Sequence, residues 1–289
     1  MTAPADLRLS VLTPVVTMLP TEHARWEETG TIADVVRVAE TADRLGYDHL
    51  TCSEHVAVPV DVAPVRGGRY WDPLSTFGYL AARTERIRFT TNVLVLGYHH
   101  PLEIAKRYGT LDLISGGRLV LGLGVGTLEE EFALLGAPFA GRGARADDAL
   151  RALRASLSQP EPHYTGEFYA FDDVVVDPCA QQERVPLWIG GRTLRSLRRA
   201  ATLADGWCPF AVGPRQAQEW LADQDRPAGF DVVLRTRPLD PGADPETAAA
   251  SLTLLAEAGA TMVSAVFIHH SLEHYLEQLE ALATVAASL

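Results

Sequence analysis

Short runs of β-branched and aliphatic residues alternate with helical segments along almost the whole chain, and this alternation constrains the fold more than any other feature. Near-continuous apolar strands separated by helices are typical of a parallel sheet covered by helices. Eight such units in 289 residues favour closure into a (β/α)8 TIM barrel of the α/β class. The predicted strands are 7–12, 49–52, 87–96, 119–125, 185–189, 207–210, 230–236 and 262–268.

The helices between these strands carry start and stop signals. Asp72 followed by Pro73 is typical of a helix start, and Gly46 ends the predicted helix over 32–45. No polar linker divides the chain, so we predict one barrel domain over 1–289. The pattern breaks into a Pro- and aromatic-rich stretch over 159–183, which we predict to be an insertion between strands 4 and 5, at the barrel mouth.

Composition excludes several classes of function. A net charge of -12 argues against nucleic-acid binding, and no apolar run approaches the roughly 18 residues of a membrane span. Three cysteines without CxxC spacing argue against a disulfide framework or a structural zinc site, and Cys52 and Cys208 are predicted to be packing residues. The N-terminus lacks the pattern of a secretory signal. We therefore expect a cytoplasmic protein that acts on a small-molecule substrate and has no metal site.

The double glycine after strand 5 is the first candidate binding element. Active sites of such barrels lie at the carboxyl ends of the strands, and the N–H groups that open a helix bind anions well. The alternative is a tight turn whose helix arginines face solvent, and Arg198 and Arg199 are predicted to do so. The predicted phosphate ligands are Gly190, Gly191, Arg192 and Thr193.

Two acid/base candidates follow strand 2. His55 is a candidate general acid/base or hydrogen-bond donor to a cofactor, and Glu54 lies beside it; the alternative for His55 is a role in stabilising the rim. Adjacent residues of an extended chain point to opposite sides, so the two are not expected to pair. After strand 8, His269 and His270 either line a substrate pocket or lie on the rim.

Glycines alternate at the end of strand 4. Because Gly122, Gly124 and Gly126 have no side chains, one face of the strand is left bare there. This pattern either leaves room for a ligand or allows close packing of the barrel. Of the three acids that follow, Glu131 is the candidate to turn into the mouth.

Read in order, these elements resemble the luciferase-like flavin and deazaflavin oxidoreductase superfamily, and most of all its F420-dependent branch. The resemblance rests on SEHVAVP, YWDPLSTFGYLAARTERIRFTTNVLVL, HHPLEIAKRYGTLDLISGGRLVLGLGVG, EEEFALLG and PLWIGGRTLRSLRRAATLADGW. It thins towards the C-terminus. His99 and Thr127 depart from the pattern, since relatives often carry Arg and Trp there.

The resemblance implies a cofactor ring at the barrel mouth and its phosphate at the double glycine. Asn92 and Val93 match the place of a non-prolyl cis peptide beside the ring, and Val125 and Gly126 would pass along it. His55, with Glu54, would contact the ring edge and position it or donate a proton. Glu131 joins these residues as a cofactor-binding candidate. The candidates to accommodate the acidic tail of F420 are the rim arginines Arg142, Arg145, Arg192 and Arg195; the alternative is that they are simply solvated.

The expected function is hydride transfer between F420 and a small organic substrate. The first alternative is a monooxygenase that uses FMN, and the second is a cofactor-free barrel with a binding or structural role. The resemblance also implies a homodimer.

Overall fold

Eight parallel strands close into a barrel in the computed structural model, which describes residues 7–20 and 22–289. The strands are β1 (Arg8–Val11), β2 (His49–Cys52), β3 (Arg88–Thr91), β4 (Leu119–Gly124), β5 (Leu187–Gly191), β6 (Gly206–Pro209), β7 (Asp231–Arg235) and β8 (Met262–Ala265). Each strand pairs with its neighbours in chain order, and β8 also pairs with β1 through Met262 opposite Arg8. The predicted (β/α)8 barrel is therefore confirmed. Residues 1–6, where the sequence showed no secretory signal pattern, lie outside the described residues.

Helices surround this barrel and return the chain from one strand to the next. They are α1 (Ile32–Leu45), α2 (Pro73–Ala81), α3 (Pro101–Ile114), α4 (Arg142–Ser156), α5 (Leu194–Leu203), α6 (Pro214–Ala222), α7 (Pro245–Glu257) and α8 (Leu272–Ala287). The predicted cap of α2 is present, because the Asp72 carboxylate accepts the Ser75 N–H at 2.8 Å. Gly46 ends α1 in the left-handed region, with φ of 82°. None of the helices in the described ranges is long and apolar enough to span a membrane.

Short elements decorate the loops between strands and helices. Two helical segments, Ala63–Arg66 and Glu129–Leu134, and two 3-10 turns, Arg25–Thr29 and Leu96–Tyr98, lie on the carboxyl-end side of the strands. In the loops after β1 and β2, Thr17–Met18 pairs antiparallel with Arg69–Tyr70. This pairing joins the two loops above the barrel.

The third strand is shorter than predicted. The sequence predicted one strand over 87–96, but β3 ends at Thr91 and a separate short strand, Leu94–Val95, pairs with the end of β4. The break falls at Asn92 and Val93, whose peptide bond is cis, as the resemblance implied. The strand is therefore interrupted at a position that the apolar pattern alone reads as continuous.

Large side chains fill the inside of the barrel. Val120, Trp188, Val233 and Met262 pack together there, and Val93 packs against them from the mouth. Trp188 is fully buried. A second, larger core lies between the sheet and the helices.

The segment over 159–183 forms the predicted hairpin, with Tyr164–Thr165 paired to Ala170–Phe171. Its described contacts run along α3 and α4. Asp148 of α4 accepts the N–H groups of Phe168 and Tyr169 at 2.7 and 3.0 Å. Tyr169 also packs edge-to-face on His100 at the start of α3. The hairpin tip thus approaches the mouth side of the helices, and its predicted place at the mouth stays a prediction.

Candidate functional site

A cavity of about 390 Å³ opens at the carboxyl ends of the strands, and we call it the mouth cavity. The loops after β1, β2, β3, β6 and β8 line it, together with the end of β7. Ser53, Asn92 and Val93 belong to its wall, and the Ser53 hydroxyl donates to the Asn92 carbonyl at 2.7 Å. Two loops around it hold non-glycine residues in the left-handed region, Val15 with φ of 73° and Ala211 with φ of 54°. Such backbone outliers cluster at functional sites.

A buried carboxylate organises the loop after β2. Glu131 is fully buried and accepts four hydrogen bonds: from His55 Nδ1 at 2.5 Å, Tyr98 Oη at 2.7 Å, and the N–H groups of Val56 and Ala57 at 2.6 and 3.1 Å. Burial alone would raise the pKa of Glu131, but the bonds from His55, Tyr98 and the backbone outweigh it and lower that pKa. The carboxylate therefore stays ionised.

This contact fixes the role of each nitrogen of His55. A carboxylate only accepts, so the His55 Nδ1 carries a proton and Nε2 is the nitrogen left to exchange one. The His55 ring also packs edge-to-face on Tyr70, with 4.5 Å between centroids. Glu131 is thus a positioning residue for His55 in this structure. Its predicted contact with a cofactor stays a prediction.

Glu54 takes a different partner from His55, as the extended backbone predicted. Its Oε1 lies 2.7 Å from His99 Nε2, and its Oε2 accepts the Val95 N–H at 2.7 Å. Burial would lower the pKa of His99, but Glu54 and the neighbouring Glu103 outweigh it and raise that pKa. Glu54 thereby ties the loop after β2 to the loop after β3. Sequence reasoning missed His99, which lies 45 residues away and was noted only as a departure from the family pattern.

The alternating glycines serve packing. A Cβ on Gly124 or on Gly190 would lie 2.6 Å from a methyl group of Val93, and one on Gly126 would lie 2.5 Å from the Phe132 ring. Protein side chains therefore occupy the space that these glycines leave. Of the two interpretations that the sequence left open for strand 4, the structure supports close packing of the barrel.

The turn from β5 into α5 is also held by protein contacts. Gly191 has φ of 146°, and a Cβ there would lie 2.6 Å from that of Ser196. The Ser196 hydroxyl donates to the Thr193 carbonyl at 2.7 Å and accepts the Trp207 indole N–H at 3.1 Å. Arg192 and Thr193 are exposed at the start of α5. The turn is thus preformed, and phosphate binding there stays a prediction.

The arginines of α5 do not all face solvent. Arg198 is exposed, as predicted. Arg199 was predicted to be exposed as well, and this is wrong: its side chain is only 9% exposed, pairs with Asp147 and donates to the Gly143 carbonyl at 3.2 Å. The reason is that α5 packs against α4 on the side of Arg199. The amphipathic pattern of α5 does not reveal which arginine meets the neighbouring helix.

The arginines at the start of α4 are held by aromatic rings. Arg142 lies over Phe139 at 3.7 Å and donates to the Gly126 carbonyl at 3.1 Å. Arg145 lies over Phe168 at 4.5 Å. These contacts fix two of the four rim arginines, one of them directly at a residue predicted to lie beside the ring.

Cys52 and Cys208 have the character of packing residues. Burial raises the pKa of Cys52 and of Cys208 to about 12, so neither thiol ionises near neutral pH. Within residues 7–20 and 22–289, no three His, Cys, Asp or Glu side chains lie in an arrangement that could hold a metal ion.

The wall formed by the loops after β1 and β8 was mostly missed from the sequence. His269 lines the mouth cavity, while His270 is exposed. Glu27 lines the cavity beside His269, and Trp26 donates to the His269 ring. No motif marks Trp26 or Glu27, which lie in a short 3-10 turn far from β8 in the sequence.

Similarity to known proteins extends over nearly the whole chain. A family model described as luciferase-like monooxygenase matches residues 13–286. An uncharacterised protein of Mycobacterium tuberculosis is 31% identical over 240 residues, covering 78% of this chain and 84% of the relative.

Solved structures show the same barrel at low sequence identity. A monooxygenase from Streptomyces bottropensis has a TM-score of 0.72 at 22% identity, covering 96% of this chain and 98% of its own. The coenzyme F420-dependent tetrahydromethanopterin reductase of Methanopyrus kandleri has the same TM-score and coverage at 15% identity. The oxygenating constituent of 3,6-diketocamphane monooxygenase from Pseudomonas putida, in complex with FMN, has 0.70 at 14% identity, covering 98% and 99%. By the extent of the family match and the shared barrel, the chain belongs to the luciferase-like monooxygenase family.

Proposed function

We propose that this chain is an oxidoreductase that binds F420 in the mouth cavity and exchanges hydride between the cofactor and a small organic substrate. The observation that carries the proposal is the position of Asn92 and Val93 on the wall of a cavity at the carboxyl ends of the strands. The start of α5 opens on the same rim, where the phosphate is predicted.

The residues present fit a flavin-type ring. Cofactor sites are usually cavities of about 300–1,000 Å³ with mainly apolar walls and a few polar groups, and the mouth cavity falls in this range at about 390 Å³. Val93 is fixed between Gly124 and Gly190 and offers a rigid apolar surface. The Thr51 and Ser53 side chains add hydroxyl groups to the same wall.

The chain's own residues would hold and position the group. Asn92 and Val93 would support the ring, and Arg192 with the N–H groups that open α5 would hold the phosphate. His55, held by Glu131 through Nδ1, would keep Nε2 ready to accept or return a proton. When bound, F420 supplies a carbon that accepts or donates hydride.

FMN-dependent oxygenation is the second candidate. It is favoured by the solved monooxygenases that share the fold, one of them in complex with FMN. A flavin and a deazaflavin both present a ring and a phosphate, so either fits the same elements. A barrel with no cofactor is the third candidate.

Titration of the purified protein with F420 and, separately, with FMN separates the three candidates. We expect the fluorescence of F420 to be quenched on binding, with negligible binding of FMN. Tight binding of FMN alone would replace the proposal with the monooxygenase. Binding of neither would leave the cofactor-free barrel.

A variant at the start of α5 tests the phosphate assignment. Thr193→Asp places a carboxylate where the phosphate is expected, and Asp is a favoured N-cap residue, so α5 should remain intact. We expect cofactor binding to be lost. Arg198→Glu, which makes a charge change on the exposed face of the same helix, is the control and should bind normally. Equal affinity in both variants would remove the phosphate assignment.

A further inference from the structure

A second polar group faces the mouth cavity from the side opposite the predicted ring site. In the closed ring of eight strands, β8 and β1 lie across from β4 and β5. The loop after β8 contributes His269, and the 3-10 turn after β1 contributes Trp26 and Glu27. Tyr275 of α8 completes the group, and His269, Glu27 and Tyr275 all line the cavity.

The contact with Trp26 fixes the protonation of His269. The Trp26 indole N–H lies 2.8 Å from His269 Nδ1, and an indole nitrogen only donates. Nδ1 must therefore carry a lone pair, and the ring proton lies on Nε2. Burial, together with the charges of His274 and His270, lowers the pKa of His269 to about 4. Near neutral pH the ring is an uncharged donor through Nε2.

The His269 ring is also fixed in orientation. The Tyr275 ring meets it edge-on, with 4.9 Å between centroids and 88° between planes, and the Tyr275 hydroxyl donates to the Leu12 carbonyl at 3.1 Å. Only 7% of the His269 side chain is exposed. The donor is thus rigid before any ligand arrives, which reduces the entropy that binding costs.

The N–H group at Nε2 has no hydrogen-bond partner among residues 7–20 and 22–289. Its nearest carboxylate oxygen, Glu27 Oε1, lies 3.6 Å away, beyond hydrogen-bond distance. The Glu27 oxygens instead accept the N–H groups of Ala24 and Val15, both at 2.8 Å. A donor at the cavity wall that the protein itself leaves unpaired is available to a ligand.

We propose that the His269 Nε2–H donates a hydrogen bond to a carbonyl or hydroxyl oxygen of an uncharged organic substrate, and that Trp26 fixes the tautomer that makes this possible. This inference rests on the proposed function, because it assigns the substrate side of the same cavity. Such a donor binds one oxygen and orients the molecule towards the opposite wall.

The charges around the cavity favour an uncharged substrate. Glu22 and Glu27 both line it, and the arginine among the lining residues, Arg235, is paired with Glu22 at 2.5 Å. An anionic group would meet these carboxylates without a free cation in the described lining to balance it. The two Glu27 oxygens already accept the backbone N–H groups of Val15 and Ala24, so a cationic group would compete with these bonds.

A pair of probes that differ in one oxygen tests the proposal. Acetophenone and ethylbenzene have nearly the same shape, and only the ketone accepts a hydrogen bond. Affinities are measured by ligand-detected NMR, with the protein as purified and with whichever cofactor it binds. The Trp26 indole signal, assigned with Trp26→Phe, reports the contact with His269.

We expect acetophenone to bind about three- to tenfold more tightly than ethylbenzene, the factor that one hydrogen bond contributes, and to shift the Trp26 signal. His269→Leu should remove this preference, His269→Gln should keep part of it through its amide N–H, and Trp26→Phe should weaken it. His270→Gln, on the exposed neighbour, should behave as the unmodified protein.

Equal affinity for the two probes, binding of neither, or an unchanged preference in His269→Leu would overturn the inference. Because His269→Gln retains a donor of similar reach, it still tests the proposal if His269→Leu fails to fold. Loss of cofactor binding with the ketone preference retained would remove the proposed function alone. Cofactor binding without the preference would remove only this inference.

Discussion

Replacing the carboxylate of Glu131 is expected to lower the free energy of unfolding more than most single substitutions at the barrel mouth. Glu131→Gln keeps the size of the side chain but replaces one oxygen with an NH2 group and removes the charge. The arrangement that costs least turns the new N–H group towards His55, which can move its proton to Nε2 and accept. The two backbone N–H groups of Val56 and Ala57 then keep an oxygen acceptor.

The magnitude follows from the four bonds to this carboxylate. Bonds to a charged group contribute about 1.5–3 kcal/mol each, against about 0.5–1.5 kcal/mol for neutral ones. Part of that difference is offset because a neutral amide is easier to bury. We therefore expect the free energy of unfolding at pH 7 to fall by about 2–4 kcal/mol. Glu130→Gln, the same chemical change at the exposed neighbour, should alter it by less than about 0.5 kcal/mol.

The pH dependence adds a second condition. The pKa of Glu131 is lowered below its usual value of 4.5, so its contribution is present above that pH and is lost as pH falls through the folded-state value. The difference in free energy of unfolding between Glu131→Gln and the unmodified protein should become smaller below about pH 4.5. Urea unfolding followed by tryptophan fluorescence at pH 7 and at acidic pH measures both. A variant as stable as Glu130→Gln, or a difference that stays constant into acid, would refute the reasoning.

Three further outcomes are expected. Gly190→Ala should lower the free energy of unfolding by about 1–3 kcal/mol, because the new Cβ would lie 2.6 Å from a methyl group of Val93. Adding Val93→Ala should recover part of that loss. Strictly additive effects of the two changes in a double-mutant cycle measured by urea unfolding would contradict the contact. In the same assay, Arg199→Gln should lower the free energy of unfolding by more than about 1 kcal/mol, and Arg198→Gln by less than about 0.5 kcal/mol. Equal effects of the two substitutions would indicate that both side chains lie in solvent. Burial would raise the pKa of Asp205, but a backbone N–H and two arginines outweigh it and lower that pKa. The loss in free energy of unfolding caused by Asp205→Asn should therefore be full above about pH 3.8 and vanish as pH falls further, in an acid titration followed by circular dichroism. A loss that persists in acid would contradict this.

Much of the barrel could be predicted because its signals are local. Strand and helix periods, the Asp72 cap and the Gly46 stop depend on residues a few positions apart, and they predicted most elements to within a few residues. The error in the third strand arose because apolar residues continue past Thr91, where β3 ends, into the separate strand Leu94–Val95. An apolar run does not distinguish one strand from two short ones.

The partners within the site were outside the reach of such signals. Glu131 was singled out, yet its bonds to His55 and Tyr98 join segments 76 and 33 residues apart. Trp26 and His269 are separated by 243 residues and meet only because β8 closes the barrel beside β1. Residues so far apart have no fixed geometry until every strand between them is in place.

The sequence by itself determined the barrel, the family and the rim where chemistry is expected. Periodicity, caps and motif order are properties of short stretches, and short stretches carry them before folding. Only the tertiary structure decided that the glycines of β4 and β5 make room for Val93, that Arg199 pairs with Asp147, and that His269 is a neutral donor. Each of these depends on which atoms meet across the closed sheet or between neighbouring helices, and closure is a property of the whole chain.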